Sequence, residues 1–397
     1  FNLNTTNWSN AGTFDLISGT LNLGGSFTVP DFGSFTRSGG LVNITGAMDN
    51  TGNTLDIGSA GLFGVGGLNQ LSGTIINGTL VSNDGTVLNS SLGTLDTMTL
   101  GSDLTTSGTV YINNSLTLAD GIVVDIGNDQ WRFGTTGNLP ITMLGGTGTA
   151  SINMAGGTLY AGYAVTGQTL EIGNGVTVQG YGTLRNSSAA TIVNNGNIIG
   201  NTAAQTLTIN PVTFTNNGSV DATAGVLTIS PTTLTNSASG TINYGAGTSG
   251  SIITSNLTNA GVITVDGDVF TITPNISYDN TGTMAFNNGT INIGGLFPFS
   301  ELSNVNNTRA GGVIVNLNGT MDLAGGTLNL DTGVFGGVLD LLNGTLQSGT
   351  LVGTTLTSSN GTLETMTLGS DLTTSRTVYI NNSLTLADGI VVDIGND

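Results

Sequence analysis

The sequence predicts an all-β protein wound as a parallel β-helix (β-solenoid), with about 21–22 residues in each coil and roughly 18–19 coils. Three observations lead to this prediction. Asparagines recur at a nearly constant spacing, the residues between them alternate between apolar and polar, and 64 of the 397 residues are glycine. Short alternating runs of β-branched residues between Gly and Asn are typical of strands and turns. A helical fold is disfavoured because no stretch repeats every 3.6 residues.

A long repeat organises the whole chain. Residues 93–129 recur as residues 361–397 at an offset of 268, and only Asp96/Glu364 and Gly108/Arg376 differ between the two segments. We therefore interpret residues 1–269 as the first copy of a long tandem unit and 270–397 as a partial second copy, continuous with the first and without a separate globular domain. Such an organisation is typical of a filament segment.

A shorter repeat lies inside the long one. Its asparagines are spaced by 22, 20, 23 and 21 residues, and a large apolar residue stands two positions before each. The asparagines are Asn194, Asn216, Asn236, Asn259 and Asn280, and the apolar residues are Ile192, Phe214, Leu234, Leu257 and Tyr278.

One coil of a parallel β-solenoid needs about this many residues, because three short strands and three turns make one circuit. Stacked coils place equivalent residues about 4.8 Å apart. The apolar positions are then predicted to form an internal column, and the asparagine amides a ladder that bonds from coil to coil. A meander of hairpins is the alternative, since pairs such as Asn217-Gly218 suit tight turns. Hairpins do not account for the 21.5-residue spacing, so the solenoid is favoured.

Two stretches interrupt the pattern. Residues 28–36, with their counterpart 298–308, contain proline and aromatic residues, and residues 129–140 contain Trp131 and Arg132. We expect both stretches to be loops that leave the coil or places where the coil changes shape. Trp131 and Arg132 are predicted to lie at a contact between coils or between neighbouring fibres, with local packing as the alternative.

Composition excludes several function classes. The chain carries 24 acidic and 5 basic residues, a formal net charge of -19. All five basic residues are arginine, so clustered Lys and Arg for nucleic-acid binding are missing. No apolar run is long enough for a membrane helix, and we expect no membrane insertion.

The residue types that most often perform catalysis are also rare. Without His or Cys, imidazole bases, thiol nucleophiles and the usual zinc sites cannot form. Asp120, Asp125 and Asp129 are the remaining candidates for an acid or metal cluster, but isolated acids on turns are the favoured interpretation. We therefore expect no catalytic residues, no metal ligands and no cofactor.

The phrases at 214–220, 257–265 and 287–295, such as Leu-Thr-Asn-Ala-Gly-Val-Ile-Thr-Val, resemble the passenger repeats of bacterial autotransporters. They are equally similar to adhesins of the filamentous-haemagglutinin type. The resemblance implies a right-handed parallel β-helix exported to the bacterial cell surface. It carries over no functional residue.

These observations favour a structural fibre, extracellular or on the cell surface, that serves adhesion, a sheath or a biofilm matrix. Its expected partners are copies of itself along and beside the fibre axis, with surface glycans or another cell's surface as further partners. One alternative is a carbohydrate-active β-helix enzyme. The other is an adhesin that binds glycan or protein through residues 28–36 and 129–140.

Overall fold

The computed structural model describes residues 1–134, 138–143, 148–163, 165–307, 313–332, 335, 337 and 339–394. The described chain is nearly all β and forms a β-solenoid of about 17 turns with roughly 21 residues in each. Two compact units are distinguished, residues 1–199 with 210–212, and residues 200–209 with 213–397. This division does not coincide with the boundary of the long sequence repeat at 269/270.

The first unit is built from short strands and one helical turn, Val29–Phe32. Its strands are Asn2–Leu3, Thr13–Leu16, Thr20–Leu23, Ser26–Thr28, Ser34–Arg37, Leu41–Ile44, Ala47–Asp49, Thr54–Asp56, Gln70–Leu71, Thr74–Ile76, Thr79–Val81, Leu88–Leu100, Leu104–Leu118, Val123–Gly127, Gln130–Phe133, Asn138–Met143, Ala150–Ala161, Gln168–Ile172, Val176–Asn186 and Ala190–Asn194. The strand Asn197–Asn210 follows.

The second unit has the same construction, and residues Phe299–Asn304 form a short 3-10 helix. Its strands are Thr213–Asn216, Ser219–Ile229, Thr233–Asn236, Thr241–Tyr244, Ser249–Asn259, Val262–Val265, Val269–Asn280, Thr283–Phe286, Thr290–Ile293, Leu296–Pro298, Val305–Asn307, Ile314–Leu317, Thr320–Asp322, Thr327–Asn329, Leu339–Leu342, Thr345–Val352, Thr355–Ser359, Gly361–Leu368, Leu372–Ser375, Val378–Leu386 and Val392–Ile394.

Within each unit the strands pair in parallel with the equivalent strand of the next coil. Asn22 lies opposite Asn43, 21 positions later, and Ile242 lies opposite Ile263 at the same distance in sequence. Parallel pairing of this kind requires a crossover connection, which the remaining strands and turns of each coil supply. The alternative of hairpins, which pair strands in antiparallel fashion, does not describe these pairs.

Coil length varies more than the sequence period indicates. Thr94 lies opposite Tyr111, only 17 positions later, whereas Arg132 lies opposite Tyr160, 28 positions later. Dividing the chain by a uniform period therefore predicts 18–19 coils, slightly more than the 17 or so observed.

The core runs through the inside of the coils. Along Gln168–Ile172 and Ala190–Asn194 buried and partly exposed residues alternate, as expected for strands with one face turned inward. Most of the inward residues are Leu, Ile, Val and Phe, and Leu23, Ile44 and Ile152 are each 0% exposed. Stacking places these residues over one another, so each coil buries the apolar face of the next.

The interruption predicted at residues 28–36 is partly helical and partly strand. Thr28 accepts a hydrogen bond from the Asp31 backbone N–H, and the Asp31 carboxylate accepts one from the Thr28 N–H, a reciprocal capping arrangement for Val29–Phe32. The Thr28 hydroxyl also donates to Asp31 Oδ2 at 2.7 Å. This bond, together with the bond from the Thr28 backbone N–H, holds the pKa of Asp31 below its usual value. Phe32 is fully buried, so the segment returns to the core. Ser34–Arg37 then pairs with Thr13–Leu16.

Candidate functional site

The predicted asparagine ladder lies on the inside of the solenoid. Asn216, Asn236, Asn259 and Asn280 each end a strand, and each lies directly opposite the next in the parallel register. Their side chains are at most 2% exposed. Asn194, in the other compact unit, ends the strand Ala190–Asn194 and is 0% exposed.

The amides of the four asparagines bond from coil to coil. Asn216 Nδ2 donates to Asn236 Oδ1 at 2.9 Å. Asn236 Nδ2 donates to Asn259 Oδ1 at 2.8 Å, and Asn259 Nδ2 donates to Asn280 Oδ1 at the same distance. Because each amide is donor to one neighbour and acceptor from the other, the row is directional and any residue without an amide interrupts it.

A second bond from three of these amides fastens the strand that follows the turn of the next coil. Asn216, Asn236 and Asn259 also donate through Nδ2 to the backbone carbonyls of Thr241, Val262 and Thr283, at 2.9, 3.3 and 3.3 Å. Both amide hydrogens of these side chains therefore have a partner. Buried polar groups are costly unless they are bonded, so this complete pairing lets asparagine occupy the core.

The predicted apolar column lies beside the ladder. Phe214, Leu234, Leu257 and Tyr278 are in successive register and are at most 5% exposed. Ile192, in the other unit, is 0% exposed.

Tyr278 contributes an aromatic contact to the column. Its ring lies 4.4 Å from that of Phe297, measured between ring centres. Burial, and then the charges of Glu301 and Asp279, raise the pKa of Tyr278, so its hydroxyl stays protonated at neutral pH.

Residues 129–140 were expected to form a loop that makes contacts, and for Gln130–Phe133 this expectation is wrong. Gln130–Phe133 is a strand inside the coil, paired with Leu104–Leu118 on one side and Ala150–Ala161 on the other. Trp131 points inward and is 0% exposed, and its Nε1 donates to Thr106 Oγ1 at 3.2 Å. Trp131 thus lies between coils but cannot contact a neighbouring fibre. Residues 135–137 lie outside the described residues.

Arg132 points to the opposite face of the same strand. Its guanidinium carbon lies 4.2 Å from the ring centre of Tyr163, 5.7 Å from that of Tyr111 and 5.9 Å from that of Tyr160. Its Nη1 donates to the Tyr111 hydroxyl at 3.1 Å, and its Nη2 donates to Gln130 Oε1 at 2.6 Å. The sequence pattern did not indicate this aromatic surrounding, because the three tyrosines lie 21 to 31 positions away.

Polar rows also run along the outside of the coils. Asn22 Nδ2 donates to Asn2 Oδ1 at 2.6 Å, and Asn43 Nδ2 donates to Asn22 Oδ1 at 2.9 Å. In the second unit Asn316 Nδ2 donates to Asn292 Oδ1 at 2.9 Å. The sequence analysis missed these rows. Their signal is an asparagine between two apolar residues, as in Leu21-Asn22-Leu23 and Ile291-Asn292-Ile293.

Within the described part of the chain, no group of three or more His, Cys, Asp or Glu side chains is placed so that it could hold a metal ion. No helix among the same residues has the length and apolar character required to span a membrane. The candidate sites described above are therefore the rows of asparagine amides, the column of buried apolar side chains and the tyrosines around Arg132.

Comparisons of the sequence and the fold with known proteins gave no match to a protein family, a curated protein or a solved structure.

Proposed function

We propose that the chain is a structural element of a fibre that is extracellular or attached to a cell surface, and that it performs no catalysis. The observation that carries the proposal is the internal ladder from Asn216 to Asn280. Its amides join consecutive coils inside the core, where water does not compete for the bonds. A solenoid gains stability with each coil added, because every coil supplies an interface to its neighbours.

The small number of sites for trypsin-like proteases supports this role, because the chain has five arginines and no lysine. Arg37 is half-buried, and its guanidinium donates to the carbonyls of Gly40, Phe63 and Gly67 at 2.6, 3.2 and 2.7 Å. Arg132 is enclosed by tyrosines. Only Arg185 and Arg376 are exposed among the arginines that the structure describes, and proteases cut where the backbone can open.

The location and partners follow from the sequence resemblance to autotransporter passengers and filamentous-haemagglutinin-type adhesins. Copies of the same chain along and beside the axis are the proposed partners. Such packing would bury mostly uncharged side chains, because only 7% of the residues are charged.

Diffraction from aligned native material tests the fibre. We expect a reflection at about 4.8 Å along the fibre axis, because coils stack in that direction. The same spacing perpendicular to the axis would contradict the proposal.

Antibody labelling of intact cells tests the location. Release of reducing ends from acidic and neutral polysaccharides tests for catalysis. Turnover would contradict the structural role.

A further inference from the structure

The outer face of the first unit carries a row in which tyrosine and arginine alternate from coil to coil. Tyr111 lies opposite Arg132, Arg132 opposite Tyr160, and Tyr160 opposite Arg185 in the parallel register. Adjacent members are therefore about 4.8 Å apart along the stacking direction. Tyr163 lies against Arg132, and we call these five residues the tyrosine–arginine cluster.

The cluster is notable for its charge. The chain has 5 arginines and 24 acidic residues, yet two of the arginines fall two coils apart in one row. Neither has a carboxylate partner within ion-pair distance among the described residues. An unneutralised pair of cations on an acidic protein fits an anionic ligand better than it fits a structural role.

The two arginines are held differently. Arg132 bonds to Gln130 and Tyr111 and packs against Tyr163, so its guanidinium is fixed under the tyrosine rings. Arg185 is exposed and forms no hydrogen bond to a described residue, and its guanidinium carbon lies 5.5 Å from the Tyr160 ring centre. Arg185 therefore keeps its donors available for a ligand, whereas Arg132 orients the rings.

The tyrosine rings supply the second kind of contact. Tyr111 and Tyr163 are 5.6 Å apart between ring centres, and Tyr160 and Tyr163 are 6.1 Å apart. All three residues are half-buried, so each is partly accessible to solvent. The negative face of an aromatic ring attracts the C–H groups on the flat side of a sugar. A guanidinium binds a carboxylate through two parallel hydrogen bonds.

We propose that the tyrosine–arginine cluster binds an acidic polysaccharide, with Arg185 pairing a uronate carboxylate and the tyrosines packing against the sugar rings. The row is one residue wide and runs along the stacked coils, which suits a linear polymer. A second protein would need about 800 Å² of surface on each partner. The net charge of -19 does not prevent binding, since charges farther than about 8 Å are screened at physiological salt.

Titration of the full chain with polygalacturonate tests the proposal, with fully methyl-esterified polygalacturonate as the uncharged control. We expect binding to the acid form only, weakening as salt is raised. Arg185→Gln should lower the affinity about ten-fold or more through loss of the charged contact. Arg376→Gln is the matched control, because Arg376 is also exposed, and it should leave the affinity unchanged.

The sequence repeat provides a matched pair for the aromatic contact. Tyr379 is the equivalent of Tyr111 at the offset of 268 and is 53% exposed. Tyr111→Ala should weaken binding, whereas Tyr379→Ala should not. Circular dichroism of each variant checks that the fold is intact.

Three results would overturn the proposal. They are absence of binding to polygalacturonate by the unaltered chain, equal losses in Arg185→Gln and Arg376→Gln, and unchanged binding in Arg185→Gln. If Arg185→Gln abolished self-association in the ultracentrifuge and left polygalacturonate binding intact, the occupant would be a second copy of the chain. The proposal does not depend on the fibre function, since a monomeric chain would bind in the same way.

Discussion

Residues 93–129 and 361–394 have nearly the same sequence but differ in what covers them. Ile112 and Leu118 are at most 1% exposed, whereas their equivalents Ile380 and Leu386 are 47% and 51% exposed. Leu104–Leu118 pairs with strands on both sides. Val378–Leu386 pairs with Gly361–Leu368 on one side, and no described strand pairs with its other side. An apolar residue on the inward face of a strand is thus buried only where a further coil covers it.

The local conformation, in contrast, is nearly identical in the two segments. The backbone φ angle is 58° at Asn114 and 59° at Asn382. Asn114 Nδ2 donates to Asp96 Oδ1 at 2.6 Å, and Asn382 Nδ2 donates to Glu364 Oε1 at 2.7 Å. This position therefore keeps its positive φ and its bond to the preceding coil in both segments, with or without a further coil beside it.

One difference in sequence accompanies a difference in strand structure. Gly108 lies within the continuous strand Leu104–Leu118, at a φ of 83°. A Cβ there would clash with the carbonyl oxygen of Ser90 on the preceding coil. Its equivalent is Arg376, which interrupts the strand between Leu372–Ser375 and Val378–Leu386. Glycine permits the close approach of the two coils, and arginine does not.

The largest expected effect compares two leucines. Leu118→Ala should lower the free energy of unfolding by about 2–5 kcal/mol, because it leaves a cavity in a packed core. Leu386→Ala should cost less than about 1 kcal/mol, since exposed side chains lose little. Denaturant unfolding of both variants measures the difference. Equal losses would show that the second segment is covered in solution.

The second comparison concerns buried amides of the asparagine ladder, which have a coil on both sides. Asn236→Ala leaves the Asn216 donor and the Asn259 acceptor buried without these partners, and each such group costs about 1–3 kcal/mol. Asn236→Asp should be at least as harmful, because it buries a charge. Thermal unfolding measures both, with Asn292→Ala on the outer face as the control. A loss no larger than that of the control would contradict the ladder's role.

The Gly108 and Arg376 exchange tests the cause of the broken strand. Gly108→Arg should cost about 1–3 kcal/mol through overpacking against the Ser90 carbonyl, with faster hydrogen exchange at the amides of Thr109 and Val110. Arg376→Gly should slow exchange at Thr377 and Val378, because the strand can close. Unchanged exchange in both variants would mean that the interruption has another origin.

The smallest expected effect is a pair of equal losses of stability. Asn114→Ala and Asn382→Ala each place alanine at a positive φ, which costs about 1–2 kcal/mol. Both positions are exposed, so the two losses should agree within measurement error. Replacement by glycine, which adopts this φ freely, serves as the control. Clearly unequal losses would show that a further coil beside the segment also affects the stability of these two positions.

The sequence by itself determined the type of coil and the inner positions of its regular part. Alternation within runs such as Thr206-Leu-Thr-Ile209 predicts which face is buried, because successive side chains of a strand point to opposite faces. The spacing of Asn216, Asn236, Asn259 and Asn280 predicts the ladder, because regular coils bring residues about one period apart together.

Where the length of a coil departs from the period of the sequence repeat, only the tertiary structure decided which residues lie next to one another. Arg132 aligns with Tyr111 across 21 positions but with Tyr160 across 28, and no local signal in the sequence gives these numbers. The same uncertainty made Gln130–Phe133 resemble a loop, although Trp131 and Phe133 alternate inward with Gln130 and Arg132 outward. A register shift of one residue reverses every side chain, so the register must be fixed by coil-to-coil packing.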